Sequence, residues 1–134
     1  MSKTMVVCGY GPGISDAVAR KFGAEGFSIA LVARNQQKVE SAAQALSAQG
    51  VKAQGFAVDL GNATAVKELM GRVRDSLGPI SVIHWNAYAG VAGDLTTASI
   101  EDFRQTLDVG VTGLLAAVQA SLPDLSANAG SAVL

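Results

Sequence analysis

Thr4-Met5-Val6-Val7-Cys8-Gly9-Tyr10-Gly11-Pro12-Gly13-Ile14-Ser15 decides the fold. An apolar run leads into three glycines spaced two apart, and a helical pattern (Ala17, Val18, Phe22) follows. A strand that turns through glycines into a helix brings backbone amides and the positive end of a helix dipole to one point. Such a point binds a phosphate group.

The chain repeats this plan. Apolar runs at 4–9, 28–33, 51–58 and 80–86 alternate with helical patterns at 13–25, 35–49 and 62–77. Gly26, Gly50 and Gly78-Pro79 stand where each helix should stop. The runs are almost continuously apolar, as in Ser28-Ile29-Ala30-Leu31-Val32-Ala33, which suits parallel strands covered on both faces. The expectation is an α/β fold: a doubly wound parallel sheet in a Rossmann-like three-layer sandwich, with strand order 3-2-1-4. After Gly93 a helical region runs from about 99 to 125. Asp102, Phe103, Leu107, Val111, Leu114, Leu115 and Val118 give it a wide apolar face, and Ser99 with Asp102 resembles a capping pair. Residues 130–134 read as the opening of a fifth strand beside the fourth, so the sheet is expected to be cut off there.

Composition narrows the function classes. Of 134 residues, 49% are hydrophobic and 16% charged, enough apolar material for one domain and too much for disorder. The net charge of -1 has no basic block, so nucleic acid is not an expected partner. The strand-like runs are too short to span a bilayer, and no membrane is expected. The start, Met1-Ser2-Lys3-Thr4, does not read as a signal peptide. The single cysteine, Cys8, excludes an internal disulfide and reads as a buried hydrophobe, with the cytoplasm as the default compartment. His84, the only histidine, sits mid-strand and reads as a buried, satisfied side chain. Trp85 beside it is expected to pack under a helix. No Cys/His/Asp cluster has metal-ligand spacing, so no metal site is assigned.

Gly9, Gly13 and Ile14 fit Gly-x-x-x-Gly-Ile, with Ser15 where a third glycine is often found. Further along stand Asp59-Leu60, Asn86-Ala87-Tyr88 and Thr106-Leu107-Asp108-Val109-Gly110-Val111-Thr112-Gly113. With these motifs in order, the chain resembles the short-chain dehydrogenase/reductase family from end to end. The resemblance implies one NAD(P)-binding domain over 1–134, incomplete relative to a full-length member. It implies a cofactor turn at Gly9, Tyr10, Gly11, Gly13 and Ile14, with Asp59 and Leu60 at the adenine. Asn86, Ala87 and Tyr88 match the family's Asn-Ala-Gly, with Tyr in place of Gly; Asn86 either supports the fourth strand or touches the cofactor.

Arg34 closes the second strand. An acidic residue there would accept hydrogen bonds from a ribose 2′-hydroxyl and repel a 2′-phosphate. An arginine offers phosphate a planar, bidentate partner. No Asp or Glu lies between Glu25 and Glu40, so NADP is expected over NAD, with Asn35 and Lys38 in support. The other reading of Arg34 is a solvated first-turn arginine.

The catalytic pattern departs from the family's. Members use a Tyr as general acid/base, a Lys four residues later, a Ser that polarises the carbonyl, and an Asn in the preceding helix. Tyr10 and Tyr88 are followed four residues on by Ile14 and Ala92, and no lysine follows Lys67. Gly110 holds the Asn position, and Ser131 comes too early. No catalytic residue is assigned. The leading expectation is the cofactor-binding half of an NADP-dependent oxidoreductase, inactive alone, whose complete parent acts on a small-molecule carbonyl or alcohol. One alternative is a non-catalytic nucleotide-binding or interaction module. Another is the enoyl-reductase branch, which Gly9, Ser15, Ala17 and the 83–89 segment also resemble. A homo-oligomer through 99–125 is expected from the open sheet edge and the apolar surplus of that region. In the resembling family the corresponding helices form a dimer's four-helix bundle.

Overall fold

The computed structural model describes residues 2–134. Five strands form one all-parallel sheet in the order β3-β2-β1-β4-β5. They are β1 (Thr4–Cys8), β2 (Ser28–Ala33), β3 (Ala53–Ala57), β4 (Ile80–Trp85) and β5 (Ala132–Val133). Between them run α1 (Ile14–Ala24), α2 (Gln36–Ser47) and α3 (Ala63–Leu77), then α4 (Ile100–Leu107) and α5 (Gly113–Ala127). The expected doubly wound order is present, with the fifth strand beside the fourth. The 51–58 run is shorter as a strand, beginning only at Ala53.

Alternation along the strands builds two cores. Met5, Val7, Ile29 and Leu31 pack with Ala19, Val39 and Leu46 of α1 and α2. Val6, Cys8, Ala30 and Val32 pack on the other face with Val66, Leu69, Met70 and Ala117 of α3 and α5. Every residue of β1 is buried, because strands to left and right and helices above and below leave it no water. Burial pushes the Cys8 thiol pKa well up, as befits an inert packing residue. The chain turns out of α1, α2 and α3 at Gly26 (φ 93°), Gly50 (φ 83°) and Gly78 (φ 107°), where the sequence places the stops.

The 99–125 region is more structured than its periodicity suggests. Ser99 caps α4, its Oγ accepting from the Asp102 amide at 3.3 Å. Between α4 and α5 lies a π-helical turn, Asp108–Thr112, centred on Gly110. Such a turn frees a carbonyl; the Trp85 indole donates to Val109 O at 3.1 Å. Small residues face the core here: Gly113, Ala116, Ala117 and Ser121 are buried. A Cβ at Gly113 would run into the Leu60 carbonyl. The large residues of the same helix, Phe103, Leu107, Val111 and Leu115, stay exposed. Arg74 of α3 ties α5 down, donating to Asp124 Oδ2 at 2.8 Å and Ala120 O at 3.1 Å.

Ile100–Ala127 is one helix of 28 residues, long and apolar enough by length and composition to cross a membrane, and its small side packs on the core of the domain. One expectation needs correction. His84 is buried, but its Nε2 has no hydrogen-bond partner, so it is not satisfied. Burial lowers its pKa.

Candidate cofactor site

The cleft opens at the carboxyl ends of β1 and β4, where the strand order reverses. Open α/β sheets hold ligands at such a point. Its volume is about 370 Å³. One wall is the turn after β1, with Gly9 and Tyr10; a second follows β2, with Arg34, Asn35 and Lys38. A third comes from Val58, Asp59 and Leu60 after β3. The last is Asn86, Ala87, Tyr88 and Ala89 after β4, with Gln105 and Val109 from the long helix. Parallel strands deliver all their following loops to one edge, which is why segments distant in sequence meet here.

The turn after β1 is held from behind. The Gly9 and Tyr10 amides both donate to Val32 O, at 3.0 and 2.8 Å. Gly9 adopts φ 84°, and a Cβ there would lie 2.6 Å from Asn86 O. Its lack of a side chain therefore answers the close approach of the β4 end. Gly11 and Gly13 differ: a Cβ on either meets nothing within 4 Å. No packing contact requires glycine at either position. Gly13 is also the N-cap of α1 and supplies no side-chain cap. The first turn thus keeps free amides beside open space, the environment a phosphate fits. Ile14 projects outward at 67% exposure. Gly11, Gly13 and Ile14 lie on the turn but do not line the cleft.

Charge in the cleft is uneven. Arg34 and Lys38 are exposed and form no ion pair among the described residues. Asn35 is occupied otherwise: its Oδ1 caps α2 by accepting from the Lys38 amide at 3.0 Å. The first turn of α2 contains no acid, so its dipole adds to the two cations. Asp59 is the one acidic lining residue. Its Oδ1 accepts from the Gly61 amide at 2.9 Å, leaving Oδ2 for a donor from outside.

Asn86 works within the scaffold. Its amide donates to Cys8 O at 2.9 Å and its Nδ2 to Ser15 Oγ at 3.2 Å, while Ser15 donates to Gly9 O at 3.1 Å. Ser15 is buried, and this chain of bonds explains why a hydroxyl serves where the motif often has glycine. Tyr10 is fixed too. Its hydroxyl donates to Asp16 at 2.7 Å, and Arg20 holds the other Asp16 oxygen at 2.8 Å. Burial, then the Asp16 bond, pushes the Tyr10 pKa up to about 12, and Arg20 lowers that of Asp16. A phenol so placed is a poor proton donor near neutral pH.

Gln105 had no motif to announce it, and Val109, though inside the 106–113 motif, had no role assigned at the cleft. They reach the cleft only because α4 folds back across the end of β4. At Gly110 a Cβ would meet nothing within 4 Å, so no close packing requires glycine where the family has Asn.

A family model described as short chain dehydrogenase matches residues 3–134. The chain is 33% identical over 124 residues to the meso-2,3-butanediol dehydrogenase of Serratia marcescens, covering 92% of this chain and 49% of that protein. The L-sorbose reductase of Gluconobacter frateurii, solved with NADPH and L-sorbose, superposes with a TM-score of 0.91 at 28% identity. That match covers 98% of this chain and 51% of the reductase. The alcohol dehydrogenase of Thermococcus sibiricus, complexed with 5-hydroxy-NADP, gives 0.87 at 30% identity over 95% of this chain and 55% of its own. The chain spans about half the length of the relatives it matches.

Proposed function

Because this chain belongs to the short-chain dehydrogenase family, we propose that it is an NADP(H)-binding domain of an oxidoreductase. The observation that carries the cofactor choice is the wall after β2, where unpaired Arg34 and Lys38 meet the acid-free first turn of α2. Solved relatives complexed with NADPH and 5-hydroxy-NADP support it. The residues assigned are Gly9, Tyr10, Gly11, Gly13 and Ile14 for the pyrophosphate turn and Arg34 for the 2′-phosphate. Asp59 Oδ2 and Leu60 take the adenine, and Asn86, Ala87 and Tyr88 form the β4 wall. Within this set Ile14 acts through its backbone and Asn86 by holding Ser15 and the β1 turn. Lys38 joins Arg34.

When bound, the nicotinamide supplies or accepts a hydride. In the complete enzyme the partner would be a small carbonyl or alcohol. The chain's own contribution is to bind and orient: it fixes the β1 turn through Val32 O and supplies cations at one end of the cleft. It presents no general acid, since Tyr10 is locked to Asp16 and no Tyr-x-x-x-Lys occurs in its 134 residues. Alone it is expected to be inactive. Gly110 favours a second reading, a nucleotide-binding module without catalysis, because the family's Asn is missing and no contact at the Cβ position requires the glycine.

Calorimetric titration of the chain and of Arg34→Ala with NADPH and NADH tests the proposal. The unaltered chain should prefer NADPH. Losing one charge-assisted phosphate contact should cost about 1.5–3 kcal/mol with NADPH and little with NADH. Equal losses would remove Arg34 from the 2′-phosphate.

A further inference from the structure

Tyr88 stands where the family motif has glycine, and it stands in water. It lines the cleft, yet it is 83% exposed. An aromatic ring left this open gains nothing from the chain's own core. Its backbone is nevertheless well placed. The neighbouring Ala89 carbonyl accepts from Thr106 Oγ1 at 2.8 Å, so the loop after β4 is fastened to α4. Thr106 in turn adjoins Gln105, another residue of the cleft wall. The latch therefore brings the Tyr88 loop to the helix that carries Gln105 and Val109, and Val109 lies against Gly61, next to Asp59 and Leu60 in the chain. The lining here offers little flat surface: Val58, Leu60, Ala87 and Val109 are aliphatic.

We propose that Tyr88 is a stacking residue for the purine base of the bound dinucleotide, and that Thr106 is the positioning residue that holds its loop at the cleft. Two aromatic rings line the cleft; Tyr10 is held by Asp16, so Tyr88 supplies the free aromatic face. A base stacked on an aromatic side chain gains about 1–3 kcal/mol, and closing a base under Tyr88 would dry both. The inference rests on reading the cleft as an NADP(H) site and adds a role that Arg34 and Asp59 do not fill.

The probe is 2′,5′-ADP, which carries the base and the 2′-phosphate without the nicotinamide, titrated beside NADPH. Tyr88→Ala should weaken both ligands by at least fivefold, the lower end of the stacking range. Tyr88→Phe should stay within twofold of the unaltered chain and Tyr88→Leu should follow the alanine variant. Thr106→Val should weaken 2′,5′-ADP by a smaller factor, and that factor should vanish in the Tyr88→Ala background. Thermal unfolding of all variants checks that the fold is kept. Unchanged binding of 2′,5′-ADP by Tyr88→Ala overturns the inference while leaving the site reading intact. A loss confined to NADPH overturns it too, since the ring would then meet the nicotinamide half. Should the unaltered chain bind neither ligand, the site reading itself falls, and the inference with it.

Discussion

At Gly9 a methyl group would stand 2.6 Å from the Asn86 carbonyl oxygen, on a backbone already at φ 84°. Both features penalise any side chain, so Gly9→Ala should cost about 3 kcal/mol. Gly110 is the opposite case. No atom lies within 4 Å of its would-be Cβ and its neighbours are helical, so Gly110→Ala should stabilise the fold by up to about 1 kcal/mol. Urea midpoints of the two variants check the pair; a destabilising Gly110→Ala would show that the π turn itself needs glycine. These residues also show what one sequence can and cannot reveal. The glycines of the β1 turn were legible as a group because a strand-to-helix turn needs them. Which glycine answers the fold and which leaves room for a ligand was not, since that depends on how near β4 comes. The buried state of His84 was readable from its apolar neighbours, and its missing partner was not, because partners come from tertiary contact.

The helices differ in how their first turns are closed, and the difference sorts structure from function. Asn35 and Asn62 cap α2 and α3, accepting from Lys38 and Ala65 amides at 3.0 and 3.1 Å. Asn62→Ala should cost about 1 kcal/mol of stability and leave nucleotide affinity alone. The α1 N-terminus has no side-chain cap. An acid there would face the helix dipole favourably while repelling a phosphate. Gly13→Asp should therefore lower NADPH affinity at least tenfold, whatever it does to the melting temperature. Thermal unfolding and titration of the same samples separate the two effects, and undiminished affinity would mean that phosphate does not sit on this helix. Strand and helix order was legible at this scale because apolar runs and glycine stops are local signals. The π turn was legible only as a local kink at Gly110, because a glycine inside an apolar helix marks an irregularity without its type and only the Trp85 indole marks the freed carbonyl.

At the scale of the molecule the long helix has two apolar sides with different work. Its small side, Gly113, Ala116, Ala117 and Ser121, lets the backbone come close to α3 and β4. Its large side, Ile100, Phe103, Leu107, Val111 and Leu115 at three- and four-residue steps and Leu122 seven further on, faces water. Periodicity alone predicts a wide apolar face without saying which part the core uses, since the core took the small residues. The stripe runs about 33 Å at 1.5 Å per residue. Two copies laid antiparallel would cover each other's large side chains, and a two-fold contact closes on itself and stops growth. A symmetric dimer through α4 and α5 is thus the expected state of the chain. Sedimentation at low micromolar concentration should give twice 13.6 kDa. Leu107→Glu with Leu115→Glu should return a folded monomer, because both side chains are about half exposed and outside the core, at 45% and 56%. Introducing two charges into a dry seam costs several kcal/mol when they find no partner, whereas in a monomer they stay in water. If the double variant remains dimeric, the contact lies elsewhere, and the outer edge of β5, whose residues Ala132, Val133 and Leu134 pair with β4 on the other side, becomes the place to look.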